Sequence, residues 1–317
     1  MTTATSTPKQ KPKALDLQTI FSWLLADGIV EKSTVKPHFA QAQGILKNAA
    51  GSMHPLTAIA QCKIVSAKAP HQLLTLDVLS EWCAGKVGLP VVEYDFFPHR
   101  ANEGYKEVFT GRGGSGLLTF DYERMRNLPP IPSEGAVSYE KVWENLTYFL
   151  KELVPVAEKA GVRLCVHPND PPPHISRGSG QVLHTLKDWK RLIETVNSPS
   201  NGLTFDCGVT RELGEDPVEV ARYFASRDRI NHCHFRNVKL TKPNEKYVEV
   251  WNDEGDDDMF AVMKELIRNN YKRLIMPEHP RSMENDKGQK NGGYTGWVYN
   301  VGYARAMMQA ALIDLRK

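Results

Sequence analysis

From residue 138 to the end, the chain alternates short runs rich in Val, Ile and Leu with longer stretches whose apolar residues return every three or four positions. These are the periods of a strand and of an amphipathic helix, and their alternation predicts βαβ units joined in a parallel sheet. Ser138 is placed to cap a helix with Val142, Leu146, Phe149, Leu150 and Leu153 on one face, and Gly161 suits the left-handed position after its end. The strand VRLCVHP follows. Thr185, with Asp188 three residues on, predicts a second helix start with Leu186, Trp189, Leu192, Ile193 and Val196 inward, and Gly202 to Asp206 reads as the next strand. Asp216-Pro217 supplies a cap and a first-turn proline for a helix through Phe224, ahead of the strand RINHCHF. Asp258 opens a helix carrying Phe260, Met263, Leu266 and Ile267; the strand RLIMPEH and a last helix, roughly Val298 to Leu315, complete the series.

Upstream, KIVSAKA from Lys63 and LPVVEYDFF from Leu89 read as strands flanking a helix from about Thr75 to Gly85. IFSWLL and GILKN, between residues 18 and 50, are the candidates for the two strands still needed to close a ring. The expected fold is α/β, a parallel (β/α)8 TIM barrel forming one domain over residues 14 to 317, behind a flexible, mildly basic leader at residues 1 to 13. Residues 100 to 134, with GRGGSG and LPPIPSEG, read as a loop insertion over one barrel face. No apolar strand leads into GRGGSG and no helix clearly follows, so a flexible loop is expected there rather than a phosphate cradle.

Composition narrows the class. With 41% hydrophobic and 24% charged residues the chain is able to bury a large core. A formal charge of +3 without a concentrated basic face argues against a nucleic-acid partner. Cys62, Cys83, Cys165, Cys207 and Cys233 lie mostly in apolar strand-like runs, where reduced thiols act as small hydrophobes. No stretch approaches the ~18 apolar residues of a membrane span, and MTTATSTPKQKPK lacks the apolar region of a secretory signal. A cytoplasmic protein with a small-molecule partner and no membrane partner is expected; self-association is compatible with this kind of barrel.

The candidate chemistry collects where strands end. His167 follows VRLCV, Asp206 follows GLTF, His232 and His234 lie in INHCHF, and Glu278 follows LIMP. In a barrel the C-terminal strand ends converge on one mouth, so four successive strands ending in His, Asp or Glu predict a single metal site. His232 and His234 share a strand face, and His234, nearer the mouth, is the preferred ligand. Two imidazoles and two carboxylates suit one divalent ion, Mn²⁺ first, with Mg²⁺, Co²⁺ or Zn²⁺ as alternatives. Beside them, Asn169 and Asp170 sit on the proline-stiffened loop HPNDPPP as substrate-binding candidates. Arg236 is a candidate carboxylate clamp, with Asn237 next to it. The segment from Pro280 to Trp297 reads as a loop over the mouth, from which Tyr294 reaches in as acid or base. The acidic run Asp256-Asp257-Asp258 reads as a solvated helix start.

At these residues the sequence resembles the mannonate dehydratases of the xylose-isomerase-like barrel superfamily. PVAEKAGVRLCVHPNDPP, VNSPSNGLTFDCG, HFRNV, GDDDMFAVMK, MPEHPR and NGGYTGW carry the resemblance, in the family's order, with a fainter echo in YDFFPHRANEGY and LLTFDYERM. The resemblance implies metal ligation by His167, His234 and Glu278, and places His279 and Tyr294 at the reacting centre. Three positions depart from the family. Its sixth-strand Cys ligand falls on Asp206, with Cys207 one place later; its strand-eight Asp is Glu278; and an Arg of its closing segment falls on Tyr299. The change from Cys to Asp hardens the site, and the Asp-then-Glu arrangement is in the direction of the superfamily's epimerases and isomerases.

The expectation is a metal-dependent hydro-lyase that removes water from a sugar acid such as D-mannonate and yields a 2-keto-3-deoxy acid. Loss of the proton α to a carboxylate calls for an ion on the carboxylate and C2 hydroxyl, a base for that proton and an acid for the C3 hydroxyl. His279 and Tyr294 are the candidates for base and acid. The near rival is a sugar isomerase or epimerase using the same ion. A DNA-repair endonuclease, which would need more ligands and a phosphate-binding surface, and a non-catalytic carbohydrate-binding barrel are remoter readings.

Overall fold

A computed structural model of the chain describes residues 16–49, 53–87, 91–283, 286 and 293–316. The leader expected at residues 1 to 13 lies outside them. By internal compactness the chain forms two units, residues 1–89 and 90–317.

In the first unit, α1 (Leu17–Ala26), α2 (Lys32–Asn48), α3 (Pro55–Gln61) and α4 (Leu76–Val87) follow one another. The strands expected at IFSWLL and GILKN are therefore helical. Leu17, Ile20, Phe21 and Leu24 recur at helical spacing and are all buried, against Leu56 and Ile59 among others, so one face of α1 supplies a core that a two-residue period would split. KIVSAKA is likewise no strand: Lys63 takes a left-handed φ of 52°, and a single bridge joins Val65 to Leu73.

The second unit carries β1 (Val91–Tyr94), β2 (Tyr105–Val108), β3 (Leu117–Asp121), α5 (Tyr139–Ala160) and β4 (Arg163–Val166). A hairpin, β5 (Ile175–Ser176) and β6 (Ser179–Gly180), precedes α6 (Leu186–Thr195), β7 (Asn201–Asp206), α7 (Cys207–Glu212) and α8 (Pro217–Ala225). The remainder is β8 (Ile230–His234), β9 (Val238–Lys242), β10 (Lys246–Glu249), α9 (Met259–Arg268), β11 (Ile275–Met276) and α10 (Gly293–Asp314). β1, β4, β7, β8 and β11 pair in that order, all parallel, into a curled half-barrel. Among the described residues this sheet has five strands rather than the eight expected.

The expected caps are in place. Ser138, Thr185, Asp216 and Asp258 each accept a bond from a backbone N–H of their helix, and Gly161 ends α5 with φ 68°. The faces so aligned bury Leu146, Leu150, Trp189, Leu192, Phe224 and Met263 in one core with Leu203, Phe205 and Ile230 of the sheet.

Residues 100 to 134 are not a structureless insertion. β2 and β3 pair antiparallel with each other, and β3 pairs with β10, giving the sheet order β2-β3-β10-β9. Ala101, Phe120, Tyr122, Met125, Val238 and Tyr247 form its own small core. GRGGSG turns tightly between β2 and β3, with Gly113 and Gly114 at φ 66° and 74°.

Candidate metal centre

Parallel strands deliver the side chains at their ends to one place. His167 directly follows β4, Asp206 ends β7, His234 ends β8 and Glu278 stands two residues beyond β11. One donor atom from each lies within 4.8 Å of all the others. His167 Nε2 is 3.0 Å from His234 Nδ1, which is 2.9 Å from Glu278 Oε1, and both nitrogens are 3.6 Å from Asp206 Oδ2. His167 Nδ1 bonds the carbonyl of Pro168 at 2.6 Å, so that nitrogen carries the proton and Nε2 is turned toward the group. The second oxygen of Asp206 accepts from the backbone N–H of Val209 at 2.8 Å, where Asp206 caps α7.

The electrostatics favour a cation at this point. Burial alone would keep the His234 ring neutral, yet the carboxylates of Asp206 and Glu278 outweigh it and push the pKa up to about 10. His167 is raised in the same way, burial opposing and the bond to Asp206 prevailing. Asp206 works against its own burial, but Arg236 and the two imidazoles hold it well below the usual carboxylate range. The site stabilises positive charge among two hard and two borderline donors, which fits a small divalent ion displacing protons from the imidazoles.

A cavity of about 250 Å³ opens on the group. His167, His234, Glu278, Asp170 and His279 line it together with Glu93, Tyr94, Asp95 and Arg100, four residues that the sequence reading did not single out. His279 takes a left-handed φ of 46°, uncommon for a residue with a Cβ. Buried Glu249 holds it there, Oε2 facing His279 Nδ1 at 2.9 Å and accepting from Arg281 Nη2 at 2.7 Å. The other imidazole nitrogen of His279 is 3.5 Å from Glu278 Oε1 and 3.7 Å from Asp170 Oδ2.

The remaining expected residues are placed differently. Arg236 is 2% exposed, and its nitrogens face Asp206 at 2.9 Å, Glu212 at 2.8 Å and Asp170 at 3.2 Å. Expected as a clamp for a substrate carboxylate, it is occupied instead by the protein's own carboxylates. One guanidinium does not neutralise them all: burial pushes Glu212 well above the usual range despite Arg236. Asn237 is also buried and structural, donating to the carbonyls of Asn252 and Asp257. Asn169 donates to Gln181 at 3.0 Å, while Asp170 Oδ1 accepts from Tyr105 at 2.6 Å. Tyr294 stands in the first turn of α10, 77% exposed, and is not among the residues that line the cavity. The acidic run is only partly solvated, since Asp257 is buried and accepts from Arg211 at 2.6 Å.

The family profile described as D-mannonate dehydratase (UxuA) matches residues 116–314. The chain belongs to the mannonate dehydratase family. It is 32% identical over 235 residues to the mannonate dehydratase of Thermotoga maritima, a match covering 70% of this chain and 63% of that protein. Against the mannonate dehydratase of Lactococcus lactis subsp. cremoris it is 29% identical over 221 residues, covering 67% and 61%. The chain thus spans somewhat less than two thirds of these relatives' length. The crystal structure of the Streptococcus suis mannonate dehydratase superposes with a TM-score of 0.65 at 27% identity, covering 76% of this chain and 74% of that one. The parallel α/β half-barrel is thus a fold shared with that structure. The family match takes in Asp206, His234 and Glu278 as well as His167. Among the described residues, no helix is long and apolar enough to cross a membrane.

Proposed function

We propose that this chain is a metal-dependent hydro-lyase acting on a sugar acid of the D-mannonate class and releasing a 2-keto-3-deoxy acid. The observation that carries the reading is the convergence of His167, Asp206, His234 and Glu278 at one cavity in a member of this family. These four residues would hold the ion, for which the mixed nitrogen and oxygen set favours Mn²⁺, with Mg²⁺, Co²⁺ or Zn²⁺ as substitutes. Bound there, it would supply Lewis-acid stabilisation of the charge that develops as the C2 proton is lost.

The protein's own groups do the rest. His279, with Nδ1 bonded to Glu249, has Nε2 as its remaining nitrogen beside Glu278 and Asp170, in position to move a proton at C2 or at the C3 hydroxyl. Arg100 donates from Nε to the Asp170 carbonyl at 2.8 Å, and its terminal nitrogens are the guanidinium donors assigned to the substrate carboxylate in place of Arg236. Asp170 is assigned to substrate hydroxyls. The five cysteines are free and buried, which supports a reducing, cytoplasmic setting.

The two carboxylate ligands favour a second reading, isomerisation or epimerisation of a sugar at the same ion. Product analysis separates the two. Mn²⁺-loaded protein is incubated with D-mannonate and assayed for 2-keto-3-deoxygluconate, beside an EDTA-treated control. Metal-dependent product is expected; metal-loaded protein that forms none overturns the lyase reading and leaves the isomerase.

A further inference from the structure

We infer that Glu93 is the carboxylate that orients His234 as a ligand, completing a carboxylate–histidine–metal triad. The inference rests on the one-metal reading of the site above. His234 is almost fully buried, and its Nδ1 is the nitrogen turned toward His167, Asp206 and Glu278. A neutral imidazole that offers its lone pair at Nδ1 carries its proton at Nε2. That Nε2 is buried and has no hydrogen-bond partner among the described residues, and Glu93 Oε1 lies 3.4 Å from it. The separation exceeds the usual N–H···O range by a few tenths of an ångström, a gap that a small rotation of either side chain closes.

Glu93 is itself held in place. The hydroxyl of Thr204 donates to the same Oε1, and Thr204 is fully buried two residues before Asp206, on the same face of β7. The curl of the sheet thus brings a carboxylate from β1 beside a ligand on β8, with β4 and β7 between them in the sheet order. Such outer carboxylates fix the tautomer and ring plane of a ligating histidine and strengthen it as a donor.

His232 makes a rival arrangement imaginable, because donor atoms of Glu93, His232 and His234 also lie within 4.8 Å of one another. A second ion there would require His234 to bind through both nitrogens, with its second proton lost. A proton shared with Glu93 meets the same geometry without that loss.

The full chain is stripped with chelator and titrated with Mn²⁺ in competition with a fluorescent chelator, ions per chain are counted by mass spectrometry, and the visible spectrum of the Co²⁺ form is recorded. Wild type is expected to bind one ion. Glu93→Gln still binds one at saturation, with affinity lower by about 10–100-fold and shifted Co²⁺ bands, a change at the ligand field that a residue needed only for folding does not produce. Thr204→Val, which frees Glu93, moves both readouts the same way by less and carries the test if Glu93→Gln does not fold. Wild-type affinity and spectrum in the folded variants overturn the inference, as do two ions in wild type falling to one in Glu93→Gln. A wild type that binds no ion removes the one-metal reading itself, and this inference with it.

Discussion

Removing Arg236 tests how the site is held together. In Arg236→Met an apolar chain replaces a guanidinium that is 2% exposed and faces Asp206, Glu212 and Asp170 at 2.8–3.2 Å. The carboxylates of Asp206, Glu212 and Asp170 stay buried, and a buried charge left without its partner costs about 3–5 kcal/mol. In a domain of this size each kcal/mol moves the melting temperature by roughly 2–4 °C, so the chelator-treated variant should melt roughly 6–20 °C below wild type near neutral pH. Circular dichroism on heating reads this directly. Arg236→Lys should recover only part of the loss, since a compact ammonium does not meet three carboxylates in the directions a planar fork does. A Met variant melting within roughly 2 °C of wild type would mean that the carboxylates are already neutral without the guanidinium, and that Arg236 does not organise the site.

Three further outcomes follow from the same geometry. His167→Ala should lose its metal on dialysis, and metal content equal to wild type would remove His167 from the ligand set. Gly208→Ala places a Cβ 2.5 Å from Arg236 Nη1 and 2.7 Å from Cζ, against a guanidinium with no room to yield; lower melting temperature and weaker Mn²⁺ retention are expected, and a variant matching wild type in both contradicts that packing. Burial pushes Asp257 up to about 7 in spite of its bond to Arg211, whereas an unfolded Asp ionises near 3.9. The folded chain therefore keeps a proton that the unfolded chain has lost, and stability falls as pH rises between those values; Asp257→Asn should flatten that slope in urea titrations, and an unaltered slope refutes the shift.

What could be read from the residues follows the range of the forces involved. Ser138, Thr185, Asp216 and Asp258 announce their helices because a cap is a bond to a backbone N–H two or three residues away, and all four make it. The proposed ligands are legible for a related reason: each lies at or just beyond the end of a strand whose apolar run is local, and a parallel sheet collects strand ends without further instruction. In α1 the signal was present at helical spacing, but over a run too short to separate the two periods. β2 and β3 were hidden because β3 finds its other partner in β10, more than a hundred residues on, and nothing local distinguishes such a strand from a loop. Arg236 is the sharpest case. Two residues after His234 it had every quality of a substrate clamp, yet folding delivers Glu212 from α7 and Asp170 from the loop after β4 to its nitrogens. A charge in a functional neighbourhood is available to a ligand only if the protein leaves it unpaired, and pairing is set by the most distant contacts of the fold. Arg100, bound by one backbone carbonyl and lining the cavity, is for that reason the residue proposed for the cationic role there.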